Sequence, residues 1–230
     1  MDYKRVVEKI IITYYMSEKL EIFDLNSELI TIKDRKEFYF EIKEESKETG
    51  KISKKVKTIK LILLNSSGSI YLQKRSKLKE ENTGKYDKTV GGHISAGDSY
   101  DMTVMRECAE ELGFPAAVLA PEEFEKAIKV TNLDIIGVFK KIEYLPNFMS
   151  ERILKNKFKM IQPLMNSMYY GYYDGPIKFV DGESSGIEIF SLEELKEEIR
   201  DNPDKFTEGI KFMIKKYENF LVPIKKNCKT

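Results

Sequence analysis

The segment GGHISAGDSYDMTVMRECAEELGF, residues 91–114, constrains the fold more than any other part of the chain. It continues a short predicted strand, KTVGGHI, through a glycine-rich loop. Asp98 or Ser99 can then cap a helix that runs to about Leu112, where Gly113 supplies a C-terminal stop. The segment therefore predicts a strand, a loop and a helix in close succession.

Three carboxylates lie together on this predicted helix. Glu107 precedes Glu110 by three residues and Glu111 by four, which are the spacings of neighbours on one helix face. Three negative charges so close repel one another, and a bound Mg²⁺ or Mn²⁺ would remove that penalty through hard oxygen ligands. A solvated acidic helix face is the alternative. The residues expected to anchor the helix to the sheet lie on a different side: Met102, Met105, Ala109 and Leu112.

The same segment resembles a Nudix box. That motif is Gly, five residues, Glu, seven residues, then Arg-Glu-apolar-any-Glu-Glu-any-Gly-apolar. Phe114 fills the last apolar position, Cys108 serves as the inner one, and Asp98 stands where the family has Glu. The remaining defined positions all match the motif: Gly92, Arg106, Glu107, Glu110, Glu111 and Gly113.

The resemblance to the Nudix family implies a fold, a reaction and a set of residues. The fold class is α/β, an α/β/α sandwich with a mixed β-sheet. The reaction is cleavage of a diphosphate linked to another moiety, with Mg²⁺ (or Mn²⁺) as cofactor. Glu107, Glu110 and Glu111 are the implied metal ligands, Glu107 and Glu111 are candidates for activating water, and Arg106 would orient a glutamate and the box loop. Glu183 falls where some members carry a loop acid that acts as base, although an exposed turn acid is the simpler interpretation.

Outside the box, residues from about 56 to 217 resemble the Nudix subgroup related to isopentenyl diphosphate isomerase. In those relatives the positions of Arg75 and Lys79 contact diphosphate, whereas a solvated basic loop is the alternative here. His93 would shape the box loop or face the substrate, and the carbonyl of Gly92 or of the preceding glycine could add a metal ligand. The implied substrate-binding residues are Arg75, Lys79, Gly92 and His93.

Isomerase activity itself is not expected. Gly91 occupies the position of the isomerase's catalytic cysteine, so one of the two groups needed to protonate and deprotonate an alkene is missing. The isomerase metal site also draws on several histidines, whereas His93 is the only histidine of this chain. The box is degenerate in the isomerase and retains all its ligand glutamates here.

The charge balance argues against large anionic partners. The chain has 39 basic and 38 acidic residues, a net charge of +1. This balance does not indicate the excess of positive charge that binds nucleic acid or an anionic membrane surface. No stretch approaches the roughly 18 apolar residues that span a bilayer, and no N-terminal signal pattern is present. Cys108 and Cys228 are not expected to form a disulfide, because Cys228 lies close to the end of the sequence. We expect a cytoplasmic protein.

We divide the chain into an N-terminal extension, residues 1–55, a Nudix domain, residues 56–222, and a tail, residues 223–230. The polar segment 43–55 is expected to be an exposed connection, and residues 20–42 to be extended. The expected function is metal-dependent pyrophosphohydrolysis of a small nucleotide-type diphosphate metabolite. The alternative is a Nudix-fold module that binds a ligand or partner without turnover. The extension is compatible with a homodimer, and the sequence does not name the substrate.

Overall fold

A computed structural model describes residues 18–178 and 184–225 of the chain, so that the predictions for Glu183 and Cys228 lie outside the described residues. The strands of this part form one sheet: β1 (Lys19–Phe23), β2 (Leu29–Asp34), β3 (Lys55–Leu64), β4 (Ile70–Arg75), β5 (Tyr86–Asp87), β6 (Ala116–Val118), β7 (Gly137–Ile153), β8 (Lys159–Tyr172) and β9 (Ser184–Phe190). The α-helices are α1 (Arg35–Thr49), α2 (Tyr100–Glu107), α3 (Pro121–Val130), α4 (Leu192–Asp201) and α5 (Glu208–Tyr217). None of these described helices is long and apolar enough to cross a membrane.

The sheet is mixed, as predicted. Its strand order is β2-β1-β3-β8-β7-β6, and β4 pairs with β3, β5 and β9. Strand β3 runs parallel to β8, from Val56 opposite Leu164 to Leu64 opposite Tyr172. Strand β6 also runs parallel to β7, whereas the other pairs are antiparallel.

Strand β3 separates two apolar cores. Ile59, Leu61 and Leu63 are buried with side chains of α2 and of the residues that follow it. Ile62 and Leu64 are buried on the opposite face, with side chains of α3, α4 and α5. This alternation is the period of two expected of a strand that is covered on both faces. The predicted α/β/α sandwich is confirmed, with the box helix in one outer layer.

The prediction that residues 20–42 are extended is confirmed up to Asp34 by β1 and β2, but helix α1 contradicts it beyond that point and replaces much of the exposed connection expected at 43–55. Asp34 caps the helix by accepting two backbone N–H groups of the first turn, at 2.7 and 3.2 Å, and Gly50 ends it at φ 72°. Phe38, Ile42 and Ser46 are buried at a spacing of four residues. The prediction was wrong because the run FYFEI has strand propensity, while the buried helical stripe includes a serine.

The N-terminal strands are continuous with the main sheet. Strand β1 pairs with β3, with Ile22 opposite Val56 and Phe23 opposite Lys55, and β2 extends the sheet beyond β1. Residues on both sides of the division at residue 55 therefore share one sheet. The division itself stays a prediction about how the chain is organised.

Candidate active site

The box helix begins and ends where the sequence places it. Ser99 Oγ accepts the N–H of Met102 at 3.1 Å, and α2 follows. Residues Cys108–Leu112 then form a π-helical turn, which Gly113 closes at φ 75° with its N–H bonded to the carbonyl of Cys108. A π turn contains one residue more than an α turn, and such turns are frequent at functional sites. The last turn therefore differs from the predicted α-helix.

The buried side of the box helix carries charged residues. Glu107 and Glu111 have relative exposures of only 9% and 6%, and Cys108 is fully buried. Met102 and Met105 are exposed. The prediction that these methionines anchor the helix is wrong, because hydrophobicity identifies the buried side only where that side is apolar. Ala109, a third predicted anchor, is also exposed, whereas the prediction is confirmed for Leu112, which is buried together with Val104 and Cys108.

Arg106 joins two of the glutamates to the box loop. Its Nη1 lies 2.9 Å from Glu110 Oε2, and its Nη2 lies 3.0 Å from Glu107 Oε1. Nη2 also donates a hydrogen bond of 3.4 Å to the carbonyl of His93. Glu110 keeps 58% of its side chain exposed. The structure thus brings Arg106 to the box loop and to two of the three carboxylates, and the catalytic roles stay predictions.

Burial acts against the negative charges of the site. It raises the pKa of Glu107, although the charge of Arg106 opposes that shift. Burial, together with the charges of Glu111 and Glu107, raises the pKa of Cys108 well above its ordinary value. The thiol therefore stays protonated and is a poor nucleophile. A bound cation would compensate the buried carboxylates.

The oxygen donors suit a divalent cation, but they are not preassembled around one point. Within residues 18–178 and 184–225, no three His, Cys, Asp or Glu side chains form a ready group for a metal ion. Glu110 instead pairs with Arg106. Gly92 lets the carboxylate of Glu107 lie directly against the box loop, because a Cβ added at Gly92 would lie 2.3 Å from Oε1 of Glu107. Carboxylate oxygens fit Mg²⁺ or Mn²⁺, and binding by all three predicted ligands requires Glu107 and Glu110 to exchange Arg106 for the ion.

A cavity of about 900 Å³ opens beside the box loop. Its wall takes residues from α1, β3, β4, β7 and the start of α5 as well as from the box loop. Gly92 belongs to this wall and also contacts Glu107, so the cavity lies next to the box carboxylates. All of the predicted substrate-binding residues line it: Arg75, Lys79, Gly92 and His93.

Asp87 organises one part of the cavity wall. Its carboxylate accepts hydrogen bonds from Lys88 Nζ at 2.7 Å and from Thr207 Oγ1 at 2.8 Å, and Arg75 Nη1 lies 3.5 Å away. Burial raises the pKa of Asp87, but the charges of Lys88, Lys60 and Arg75 outweigh burial and hold this pKa well below its ordinary value of 3.8. Asp87 therefore stays ionised in the folded protein, because its cationic neighbours stabilise the carboxylate.

His93 belongs to a second polar network. Its Nε2 lies 2.6 Å from the hydroxyl of Tyr39, which also accepts a hydrogen bond of 3.1 Å from Arg152 Nη2. Arg152 pairs through Nη1 with Glu81. Burial and the charges of Arg35 and Arg152 lower the pKa of His93 well below its ordinary value. The ring is therefore neutral and connects the box loop to α1.

Sequence reasoning missed most of the polar residues in this wall. Asp87, Lys88 and Arg152 received no predicted role, and they come from two segments that lie far apart in the chain. Folding alone brings them to one cavity. Lys60 does carry a signal, because it interrupts the apolar run of a strand that is otherwise buried. A charged residue at such a position is rare unless it is paired.

Comparison with known proteins agrees with this architecture. Residues 54–210 match the family model described as the NUDIX domain. An uncharacterized Nudix hydrolase of Pseudomonas aeruginosa is 39% identical over 59 residues, which are 26% of this chain and 35% of that protein. One of Yersinia pestis is 33% identical over 60 residues, 26% of this chain and 33% of that protein. The chain therefore spans about a third of the length of these curated relatives.

The fold is also similar to a solved structure. The crystal structure of a Deinococcus radiodurans protein covers 86% of this chain, and the match spans 98% of that protein, with a TM-score of 0.57. The two sequences are 16% identical. At that identity the likeness shows a shared fold alone.

Proposed function

The chain belongs to the Nudix family, and on that premise we propose that it is a metal-dependent pyrophosphohydrolase acting on a small nucleotide-type metabolite. The observation that carries the proposal is the contact between buried Glu107 and Gly92, a residue of the cationic cavity wall. Cleavage of a diphosphate needs carboxylates that hold a cation and, beside them, a site for the negatively charged substrate. The contact between Glu107 and Gly92 brings a box carboxylate to the wall of the cavity.

Glu107, Glu110 and Glu111 are the residues that would hold the cation. Bound there, Mg²⁺ or Mn²⁺ supplies charge neutralisation for the diphosphate and lowers the pKa of a water molecule. Arg106 keeps Glu107 and Glu110 aligned through its two terminal nitrogens. We retain Glu183, which lies outside the described residues, as a proposed loop base.

Arg75 and Lys79 are proposed to bind the diphosphate oxygens. Both line the cavity. The Nε of Arg75 donates a hydrogen bond of 3.0 Å to the carbonyl of Glu81, and its Nη1 lies 3.5 Å from Asp87. The guanidinium is therefore held in position before a substrate arrives, which lowers the entropic cost of binding. Gly92 shapes the adjoining loop, in which its carbonyl accepts the N–H of a β3 residue at 2.9 Å.

Hydrolysis of a panel of diphosphate metabolites tests the proposal. Nucleoside diphosphate sugars, dinucleotides and nucleoside di- and triphosphates are incubated with Mg²⁺ or Mn²⁺, and release of phosphate or nucleotide is measured. We expect cleavage of at least one compound, its loss in EDTA, and its recovery with excess Mg²⁺, because the box carboxylates act through the cation. A compound that raises the unfolding temperature, in a panel where none is cleaved, would instead support the binding module.

Replacing Gly92 with alanine is expected to impair catalysis while the fold persists. The new methyl group would lie 2.3 Å from Oε1 and 2.8 Å from Cγ of Glu107, so the carboxylate must move. Misplacing a catalytic group by about 1 Å costs roughly 10²-fold in rate, and we expect a loss of that order in kcat/KM. Steady-state kinetics and thermal unfolding of both proteins measure this. An unchanged kcat/KM would show that Glu107 need not occupy its present position.

A further inference from the structure

Lys60 is a buried lysine on the cavity wall, and the charge of Asp87 acts on it without a direct ion pair. Only 7% of the residue is exposed, and its Nζ lies beside another wall residue, since a Cβ added at Gly209 would be 3.4 Å away. Nζ also lies 5.3 Å from the centre of the Phe148 ring. No hydrogen bond or ion pair connects Lys60 to any residue that the structure describes. A buried ammonium group that donates no hydrogen bond costs free energy in the free protein, and the charge of Asp87 offsets only part of that cost.

A second buried lysine on the same strand shows how a structural lysine is satisfied here. Lys55 is fully buried, and its Nζ lies 2.7 to 3.2 Å from four oxygen atoms. Those atoms belong to Leu25, Ser27, Pro146 and Asn147. Lys60 lacks any such set. Its presence is therefore not explained by the packing of β3.

The surroundings of Lys60 carry an excess of positive charge. Burial lowers the pKa of Lys60 well below its ordinary value, and Lys88, Arg152 and Arg75 lower it further against the opposing charge of Asp87. The Nε of Arg152 is also buried without a hydrogen-bond partner. Lys60 and Arg152 thus each present a nitrogen atom that has no hydrogen-bond partner among the described residues.

We propose that Lys60, with Lys88 and Arg152, binds a phosphate ester of the substrate that is separate from the diphosphate being cleaved. A phosphate ester carries a charge of about −1.5 to −2 at pH 7, opposite in sign to these three basic side chains. Its terminal oxygens accept charge-assisted hydrogen bonds from ammonium and guanidinium groups. The inference rests on the proposed function and narrows its substrate class to diphosphate metabolites that carry a second phosphate on the other moiety.

Phosphate binding in EDTA tests this site without turnover. Inorganic phosphate is titrated calorimetrically into the wild type and into Lys60→Met and Lys57→Met variants. Lys57 is the matched control, because it lies on the same strand, pairs with Glu21 at 2.7 Å and is absent from the cavity wall. We expect Lys60→Met to raise the Kd for phosphate about tenfold or more and Lys57→Met to leave it unchanged.

The unfolding temperature separates a binding role from a structural one. Without phosphate, Lys60→Met is expected to unfold at the wild-type temperature or above it, because methionine removes a buried ammonium group that donates no hydrogen bond and keeps much of the side-chain volume. Lys88 and Arg75 still contact Asp87 in this variant. A lower unfolding temperature together with unchanged phosphate binding would assign Lys60 to stability and overturn the proposal. A wild type that binds no phosphate would also overturn it.

Two further titrations identify the chemical group that binds at Lys60. Acetate that binds as tightly as phosphate would overturn the assignment to a phosphate ester. Phosphate is also titrated in the presence of Mg²⁺ and saturating methylene diphosphonate, a diphosphate analogue that resists hydrolysis. We expect phosphate still to bind in a Lys60-dependent way. Its displacement by the analogue would place Lys60 in the diphosphate site and overturn the idea of a separate group.

These results are independent of the hydrolysis panel. The panel measures turnover with metal, whereas the phosphate titration measures binding without it. A Glu111→Gln variant is expected to lose turnover and to retain phosphate binding. Phosphate binding without hydrolysis of any compound would therefore reject the proposed function alone, and hydrolysis without Lys60-dependent phosphate binding would reject the inference alone.

Discussion

Replacing Glu111 with glutamine is expected to lower kcat/KM for the diphosphate substrate by about 10³-fold in a protein that remains folded. The variant loses one negative charge at a buried position and keeps the shape of the side chain. An amide oxygen is a weaker ligand for Mg²⁺ than a carboxylate, and losing about 4 kcal/mol of metal-dependent stabilisation corresponds to that factor. Steady-state kinetics in Mg²⁺ measure the activity, and thermal unfolding confirms the fold.

Glu123 provides the matched control for this variant. It is exposed in the first turn of α3, away from the box, and Glu123→Gln should retain the wild-type kcat/KM. If Glu111→Gln kept more than about a tenth of the wild-type value, the loss would be too small for a metal ligand. The proposed ligand set would then be wrong at Glu111.

Replacing Asp87 with asparagine is expected to lower the free energy of unfolding by about 3 to 5 kcal/mol at pH 7. The carboxylate is buried among Lys88, Arg75 and Lys60, and it also accepts the hydroxyl proton of Thr207 at the start of α5. An asparagine would remove the anion and direct an NH₂ group toward cationic donors. Urea unfolding of the two proteins measures the difference.

The effect of this replacement should depend on pH. Because its neighbours hold the pKa of folded Asp87 below the ordinary 3.8, the charge stabilises the fold fully above about pH 4. That contribution is lost as the pH falls through the ordinary value toward the folded one, so the difference between the proteins should shrink below about pH 4. The control Asp204→Asn, at an exposed position, should change stability by less than about 0.5 kcal/mol. Wild-type stability of Asp87→Asn at pH 7 would contradict this account.

The fold was predictable where local signals and the motif agree. The box predicted the loop, a cap at Asp98 or Ser99 and the Gly113 stop, and the structure has the loop, Ser99 as the cap and Gly113 at the end. Helix α1 was not predictable, because its aromatic run favours a strand and its buried stripe, Phe38, Ile42 and Ser46, is only partly apolar. Its burial is decided by tertiary contacts that the sequence pattern does not display.

The residues of the candidate active site were also predictable only in part. Arg106 and the glutamates follow from spacing within one helix, whereas Asp87 and Arg152 reach the cavity through sheet topology. Their charges look like ordinary surface charges in a sequence that is one third charged. The burial of Glu107 was also not predictable, since acidic residues are usually placed on the solvent side of a helix.

The cavity wall is assembled from residues scattered between Glu18 and Gly209, whereas the box occupies residues 91–114 alone. Substitutions on α1 or β7 can therefore change which molecules are accepted without disturbing the spacing of the box. Under the proposed function, selectivity can diverge while the box stays unchanged. A shortened chain beginning at β3 would keep every box residue and lose Tyr39, the partner of His93, so it would retain the predicted metal ligands with an incomplete cavity wall.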